Sequence, residues 1–279
     1  MKTITINILS FGDRIAEGTY ELHSAFDNVL NFEKQGMLAA VVTEKIGPGP
    51  FNIVVDALPA KAKKLYYKDA CVRLDSMNLQ FKKNCIYDSR LRILEVNPAR
   101  FIKNLQILRK ALSFKAPDKS LAFLLDEKRE DSFSGRFEKK FLEKFKKGVL
   151  DLALGAYEKG ASGVRGLGWG LTPSGDDFLS GYLLGISAAE KFSKKNLSIF
   201  KERVYVNSFG KNAVSNAFLK CSYEGRAGEK FKNLIAILSS DAKKGKIISA
   251  AEDIMNSGST SGTDSLSGFF YGFYAAINL

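Results

Sequence analysis

The sequence contains one histidine, three scattered cysteines and no long apolar run. A single histidine excludes a histidine-rich metal site, no Ser-His-Asp or Cys-His set is apparent, and His23, in a strand-like segment, is predicted to be structural. The odd number of cysteines favours reduced thiols and hence a cytoplasmic protein. The longest apolar stretches fall short of the roughly 20 residues that a membrane span needs. The N-terminus lacks the apolar core of a signal peptide, so no membrane association is predicted.

The charge is +12 at neutral pH and is unevenly distributed. Residues 1–95 hold 13 basic and 11 acidic side chains, whereas the remainder holds 29 and 19. Such an excess attracts nucleic acid, anionic lipid or small anions. The basic segment Arg136–Lys147 belongs to a stretch whose phenylalanines recur every four residues, at Phe133, Phe137, Phe141 and Phe145. That spacing is typical of a helix that buries one face and exposes lysines on the other, so nucleic acid is not the predicted partner.

The apolar pattern changes near residue 95. Before it, six short segments from TITINIL to KNCIYDS alternate like strands and are separated by Gly, Pro, Asn and Asp. Closely spaced strands favour a small barrel or a sandwich. After Asn97 and Pro98, a predicted N-cap and first helical residue, the apolar period becomes helical. We predict an α+β fold, with a β-rich domain at 1–95 and an all-α domain at 96–279.

One sequence pattern occurs twice in the second half. Residues 174–189 and 261–276 align without a gap with nine identities in sixteen, and each copy opens with Ser-Gly-x-Asp. The first copy is preceded by a glycine-rich loop, within GLGWGLTPSGDD, and the second copy lies at 258–276. In each copy the serine is predicted as a helix N-cap and the aspartate as its capping-box partner. The sequence therefore predicts a pseudo-repeated loop–helix motif.

Glycines within both predicted helices require a further explanation. Gly181 and Gly185, like Gly268 and Gly272, lie four residues apart, and each costs a helix up to about 1 kcal/mol relative to alanine. A close crossing of the two helices along these flat stripes would offset that cost. The crossing would direct both helix N-termini at one space, where bare amides and helix dipoles bind anions.

The predicted site follows from this geometry. Alternate glycines in the loop permit positive φ, which turns successive N–H groups inward. The predicted substrate-binding residues are Arg165, Gly166, Gly168, Gly170, Thr172, Ser174, Gly175, Ser261, Gly262 and Thr263. The predicted catalytic residues are Asp176, Asp177 and Asp264. Asp176 and Asp177 would hold Mg²⁺ or accept hydrogen bonds from an amide NH₂. The structural alternatives are a dipole-compensating Asp176 and a loop that is only a tight turn.

The stretch Gly166–Gly181 resembles the signature of the AllH family, associated with a subunit of oxamate carbamoyltransferase in anaerobic allantoin breakdown. The segments HSAFDNVLNF and GPGPFNIVV are also similar to the N-terminal half of that family. The resemblance implies a reaction in which oxalurate and phosphate exchange with oxamate and carbamoyl phosphate. It therefore implies small substrates with carboxylate, amide or phosphate groups, and other carbamoyltransferase subunits as partners.

Two functional hypotheses remain open at this point. The first is carbamoyl transfer, by this chain alone or as a subunit, with small anions bound at the paired helix N-termini. The second is a non-catalytic subunit that binds small anions or acts as a scaffold, which the absence of an evident base or nucleophile favours. A homo-oligomer is compatible with both, and nucleic-acid binding by the basic helical half is the weakest reading.

Overall fold

A computed structural model describes residues 6–92 and 97–279. The chain divides into two compact units, one holding the residues up to Arg90 together with Ala227–Glu229, the other holding Leu91–Arg226 and Lys230–Leu279. The predicted domain boundary, between residues 95 and 96, falls within residues 93–96, which lie outside the described residues, and stays a prediction. The predicted α+β order, strands first and helices after them, is confirmed.

The first unit is a β-barrel rather than a sandwich. Its strands are β1 (Ile6–Gly12), β2 (Gly18–Phe26), β3 (Val29–Lys34), β4 (Met37–Thr43), β5 (Asn52–Val55), β6 (Lys64–Lys68), β7 (Cys71–Leu74), β8 (Met77–Phe81) and β9 (Ile86–Tyr87). They pair in the order β5-β4-β3-β2-β6-β7-β8-β1, and β1 also pairs with β5. These eight strands therefore close into a ring, to which β9 adds in parallel beside β1.

Each of the six predicted strand segments contains a strand, although residues 3–5 of the first lie outside the described residues. The alternation is clear in β7, where Val72 and Leu74 are buried and their neighbours exposed. Three further strands, β3, β6 and β8, were not predicted, and they complete the ring that protects the strand edges. His23 lies exposed on β2, with Nδ1 at 3.3 Å from the Ser24 hydroxyl.

The second half of the chain is helical. Its helices are α1 (Pro98–Lys115), α2 (Arg136–Ala153), α3 (Tyr157–Val164), α4 (Ser174–Ser193), α5 (Ser198–Ser208), α6 (Ala213–Tyr223), α7 (Glu229–Ser239), α8 (Lys244–Met255) and α9 (Ser261–Ile277), with 3₁₀ turns at Leu121–Leu124 and Glu127–Ser132. The predicted cap of α1 is confirmed, because Asn97 Oδ1 accepts the Arg100 N–H at 3.1 Å. Within the described ranges, no helix combines the length and apolarity that crossing a bilayer requires.

The phenylalanine pattern around α2 is confirmed with one exception. Phe133, Phe141 and Phe145 are buried, and their rings pack on one another and on Phe123. Phe137 was expected on the same buried face, but 70% of its surface is exposed. The four-residue spacing is therefore only an approximate guide to burial, because 3.6 residues per turn rotate successive members around the helix.

The helices α4 and α9 pack directly against each other along their glycines. A Cβ atom at Gly181 would overlap the carbonyl oxygen of Ser265, and one at Gly268 would overlap that of Phe178. Gly185 and Gly272 leave equally little room, because a side chain there would overlap the backbone of the partner helix. The predicted glycine-mediated crossing is confirmed, whereas repetition of the glycine-rich loop itself stays a prediction.

Candidate functional site

Both helices of the crossing begin at the repeated serines. Ser174 and Ser261 are the first helical residues, and Pro173 and Thr260 occupy the N-cap positions without a side-chain cap hydrogen bond. The predicted capping boxes are therefore wrong. In both copies the helix begins one residue earlier than the cap pattern implies, because the serine itself is helical and the residue before it takes the N-cap position.

The two aspartates of the repeat interact across the crossing instead. Asp177 lies beside the hydroxyl of Ser261 on the other helix, and Asp264 lies beside the hydroxyl of Ser174. Each helix thus directs the carboxyl group of its first turn towards the start of its partner. The predicted convergence of the two helix N-termini on one space is confirmed by these contacts. Asp177 and Asp264 are called the acid pair below.

Asp177 is 8% exposed. Its Oδ2 accepts the hydroxyl of Thr172 at 3.0 Å, and the same hydroxyl lies 3.4 Å from that of Ser261. Burial raises the pKa of Asp177 well above its ordinary value, and the nearby charges of Asp264 and Asp176 raise it further, against the lowering effect of the two hydroxyls. Asp177 therefore holds its proton to a higher pH than an exposed aspartate.

Asp264 is completely buried. Its Oδ1 accepts the backbone N–H of Leu121 at 2.7 Å. Burial raises the pKa of Asp264 to about 7, although this N–H and the hydroxyls of Ser174 and Thr260 lower it. Neither hydroxyl reaches Oδ2 with hydrogen-bond geometry, and this oxygen has no partner among the described residues. A buried carboxyl oxygen without a partner costs free energy and is a position for a ligand or an ordered water.

In the part of the chain that the structure describes, the acid pair has no basic counterpart. Among the described residues, no lysine, arginine or histidine forms an ion pair with Asp177 or Asp264, and no basic group contributes to their pKa. In a chain of net charge +12, two buried acids without a cation are unexpected on structural grounds alone, because buried charges are normally paired.

Asp176 forms its hydrogen bond with the preceding loop and not with the acid pair. It is 3% exposed, and its Oδ1 accepts the N–H of Gly166 at 2.8 Å. The described residues contain no group of three or more His, Cys, Asp or Glu side chains that could hold a metal ion. The alternative of Mg²⁺ at Asp176 and Asp177 therefore gains no support from this geometry, since Mg²⁺ prefers an octahedron of oxygen ligands.

The loop between α3 and α4 has the backbone conformation that its sequence predicts. Its residues 166–172 are called the glycine loop below. Gly166, Gly168 and Gly170 have φ values of 70°, 108° and 96°, which residues other than glycine rarely adopt. The N–H groups of residues 168–172 donate no hydrogen bond within the described part of the chain. Partly exposed amides of this kind are available to an anion.

Residues 164–273 match the family model of the oxamate carbamoyltransferase subunit AllH. The match confirms the resemblance for this AllH segment, which contains the glycine loop, the acid pair, all of α4, and α9 as far as Phe273. The barrel and the N-terminal segments that also resemble the family lie outside the matched residues. No curated protein and no solved structure matches the chain.

Several predicted ligands in the AllH segment already have partners within the protein. Arg165 Nη1 donates to the carbonyls of Asn207 and Phe209 at the end of α5, at 3.3 and 2.7 Å. The N–H of Gly175 donates to Leu167, and that of Gly262 donates to Ser257. These two amides are not bare, contrary to expectation, and both glycines instead allow close backbone packing.

Thr263 is a different case among the predicted ligands. Its side chain is completely buried, and its hydroxyl has no hydrogen-bond partner among the described residues. Gly168 is needed for a second reason besides its positive φ, because a side chain there would collide with Ser174. The loop amides, the acid pair and the hydroxyls of Thr172, Ser174 and Ser261 are therefore the groups that the structure brings together.

Two residues at the site were missed from the sequence. Leu121 contributes only its backbone N–H to Asp264 from 143 positions away, and no local pattern marks such a contact. Asn212 caps α6 by accepting the Ser215 N–H, and its Nδ2 also donates to the carbonyl of Leu171 in the glycine loop. An asparagine before a helical pattern could have indicated the cap, but not its second contact.

Proposed function

We propose that this chain is the AllH-type subunit of an oxamate carbamoyltransferase and that its site binds small substrates with an amide and an anionic group. The observation that carries this proposal is a buried acid pair that has no cation among the described residues, beside a loop of amides that donate to no acceptor there. A ligand with N–H donors at one end and negative charge at the other satisfies both halves. Oxamate, oxalurate and carbamoyl phosphate have this chemistry.

The arrangement supports one orientation of such a ligand. The carboxylate or phosphate accepts the N–H groups of residues 168–172, and the amide NH₂ donates to the acid pair. Thr172 connects the two halves, because it belongs to the glycine loop and its hydroxyl donates to Asp177. The N-termini of α4 and α9 add the positive ends of two helix dipoles on the same side.

The acid pair also suits the chemistry of carbamoyl transfer. Transfer from oxalurate to phosphate breaks the bond between the carbamoyl carbon and the oxamate nitrogen and forms a bond to a phosphate oxygen. The leaving nitrogen gains a proton, and the reverse reaction removes it. A carboxyl group with a pKa of about 7, such as Asp264, supplies and recovers a proton near neutral pH. Asp177 and Asp264 are the proposed catalytic residues, and Asp176 positions the loop.

A non-catalytic anion-binding subunit is the second candidate function. The site favours it in one respect: around the acid pair, the described groups are carboxyls, hydroxyls and amides, with no histidine or thiol to act as a nucleophile. Purified chain alone, assayed with oxalurate and phosphate, tests the second candidate. Turnover eliminates it, whereas binding without turnover restricts the first candidate to catalysis within an assembly of subunits.

Asp177→Asn is expected to weaken oxamate binding by about tenfold or more, because losing a hydrogen bond to a charged partner costs about 1.5–3 kcal/mol. The asparagine also turns an NH₂ towards the ligand's own NH₂. Isothermal titration with oxamate measures the change. Asp253→Asn, on the exposed surface of α8, is the matched control and should bind as the unmodified chain does. Equal affinity of all three proteins would remove Asp177 from the proposed site.

Binding of an amide ligand is expected to strengthen as the pH rises from 6 to 8. The ionised carboxylate is the better acceptor for NH₂, and ionisation of Asp264 occurs around its pKa of about 7. Between these pH values the ionised fraction of such a group rises about tenfold. The dissociation constant of oxamate, whose own carboxylate is ionised throughout, should fall by a similar factor. A constant or rising dissociation constant contradicts the assignment of the amide to the acid pair.

A further inference from the structure

An aromatic pair lies exposed beside the glycine loop. Phe137 on α2 is 70% exposed, and Trp169, the single tryptophan of the chain, is 49% exposed. Their ring centroids are 6.0 Å apart, and Trp169 also lies 5.2 Å from the buried Phe141. Trp169 is thus held by α2 in a defined position while half of its surface remains in water. The exposed parts of these two rings belong to the core of neither unit.

Two lysines extend the aromatic pair along α2. Lys140 and Lys144 follow Phe137 by three and seven residues, so they lie on the same side of the helix. Both are exposed, and neither forms an ion pair in the part of the chain that the structure describes. Of the nearby acids, Glu138 pairs with Lys119 and Glu130 with Lys146, and the exposed Glu143 forms no ion pair with either lysine in the described ranges. Phe137, Lys140, Lys144 and Trp169 are called the aromatic–lysine stripe below.

We propose that the aromatic–lysine stripe docks an acidic surface of another carbamoyltransferase subunit. The proposal rests on the proposed function, in which this chain is one subunit of several. Tryptophan and phenylalanine rings that are rigidly held and half in water are typical anchors of protein interfaces. The two unpaired ammonium groups require negative charge at the rim of the partner's surface.

Two other occupants fit the stripe less well. A second copy of this chain carries the same net charge of +12, which opposes association of two lysine-bearing faces. Single-stranded nucleic acid needs a longer basic groove with successive stacking rings, and arginine more than lysine. The stripe offers one aromatic pair and two lysines on one helix, which suits a compact acidic protein surface.

Docking on the stripe would also act on the site. Trp169 lies between Gly168 and Gly170, so a partner that covers its ring immobilises the part of the glycine loop whose amides donate to no acceptor among the described residues. A glycine loop that a partner restricts further, beyond the contact of Trp169 with α2, loses less conformational entropy when its ligand binds. The partner would therefore increase affinity for the anion as well as complete the assembly.

The test uses the full chain with the other subunits of its carbamoyltransferase, co-expressed, purified and recombined. The variant combines Phe137→Ser, Lys140→Glu and Lys144→Glu. The control combines Lys139→Glu and Leu150→Ser, which change exposed residues on other sides of α2. Sedimentation velocity should show at least about a hundredfold loss of affinity in the variant, and an affinity within about twofold of the unmodified chain in the control. 5-Fluorotryptophan at Trp169 gives a single ¹⁹F resonance, which should shift on assembly.

The outcomes separate the two proposals. If the unmodified chain forms no complex with those subunits, the subunit assignment fails and the docking inference fails with it. If the triple variant assembles as tightly as the unmodified chain, only the docking inference is overturned. Salt-sensitive binding of an oligouridine probe that the triple variant loses, with assembly unaffected, would assign the stripe to nucleic acid and overturn the inference too.

Discussion

Gly268→Ala is expected to lower the free energy of unfolding of the helical unit by about 3 kcal/mol, the upper part of the range for overpacked cores. The added Cβ would overlap the carbonyl oxygen of Phe178 on the facing helix. A backbone atom cannot rotate away as a side chain can, so α4 and α9 must separate and lose contacts along the whole crossing. Urea unfolding followed by the fluorescence of Trp169, in the same unit, measures the loss.

Gly245→Ala is the matched control for this prediction. Gly245 lies in α8, and an added Cβ there would meet no atom within 4 Å. Alanine should therefore stabilise the protein by up to about 1 kcal/mol through helix propensity. Changes of opposite sign in the free energy of unfolding would show that the close crossing, and not helix propensity, decides the effect of alanine at Gly268. A neutral Gly268→Ala variant would contradict the close backbone contact of α4 with α9.

Asp264→Asn is expected to stabilise the protein at pH 8 by about 2–4 kcal/mol, because it removes a buried group that ionises at a cost. Burial raises the carboxyl pKa from 3.8 to about 7. Below about pH 4 the group is protonated in both the folded and unfolded states. Between pH 4 and 7 the folded state keeps a proton that the unfolded state releases, so stability falls as pH rises and is constant above. Asparagine is neutral throughout and can still accept the Leu121 N–H.

The measurement compares urea unfolding of both proteins at pH 5 and pH 8. The advantage of the asparagine variant should be largest at pH 8 and shrink towards pH 5. Asp253→Asn, at an exposed position, should show no such dependence. An asparagine variant that is less stable than the unmodified chain at pH 8 would mean that the ionised carboxylate has a stabilising partner, and the interpretation of the acid pair would be wrong.

These expectations distinguish a functional acid pair from a structural one. Capping aspartates stabilise a protein when ionised, and their replacement destabilises it. Asp177 and Asp264 are instead buried, and within residues 6–92 and 97–279 they have no cation and one oxygen of Asp264 has no partner. Residues that reduce stability in this way are typical of sites whose ligand supplies the missing interaction.

Local patterns predicted the secondary structure well where one physical effect dominates. Asn97 and Pro98 predicted the start of α1, since cap chemistry and proline geometry act within one turn. The helix starts of the repeat were predicted to within one residue, but the serine caps were wrong because Pro173 and Thr260 occupy the cap positions. The strands β6 and β8 span only five residues each and were missed, although Met77, Leu79 and Phe81 alternate with polar residues in β8; pairing with their neighbours stabilises them.

Contacts between segments that are distant in the chain were harder to predict from the sequence. Phe137 has the same spacing as its buried neighbours but lies outside the core, because burial depends on what packs against each side of α2. The contacts of Asn212 with Leu171 and of Asp264 with Leu121 join segments 41 and 143 positions apart. Each involves a backbone group, which every residue possesses, so residue type cannot reveal them.

By itself, the sequence determined that two helices with matching glycine stripes cross closely and that their starts converge, because only glycine permits backbones to touch and the stripes begin near each start. It also determined the positive φ values of the glycine loop. The tertiary structure alone decided that the aspartates reach across to the opposite helix rather than cap their own, and that they do so away from solvent and from every basic side chain of the described residues. Burial and the absence of a counter-charge are properties of the surroundings, and those surroundings are assembled from segments far apart in the chain.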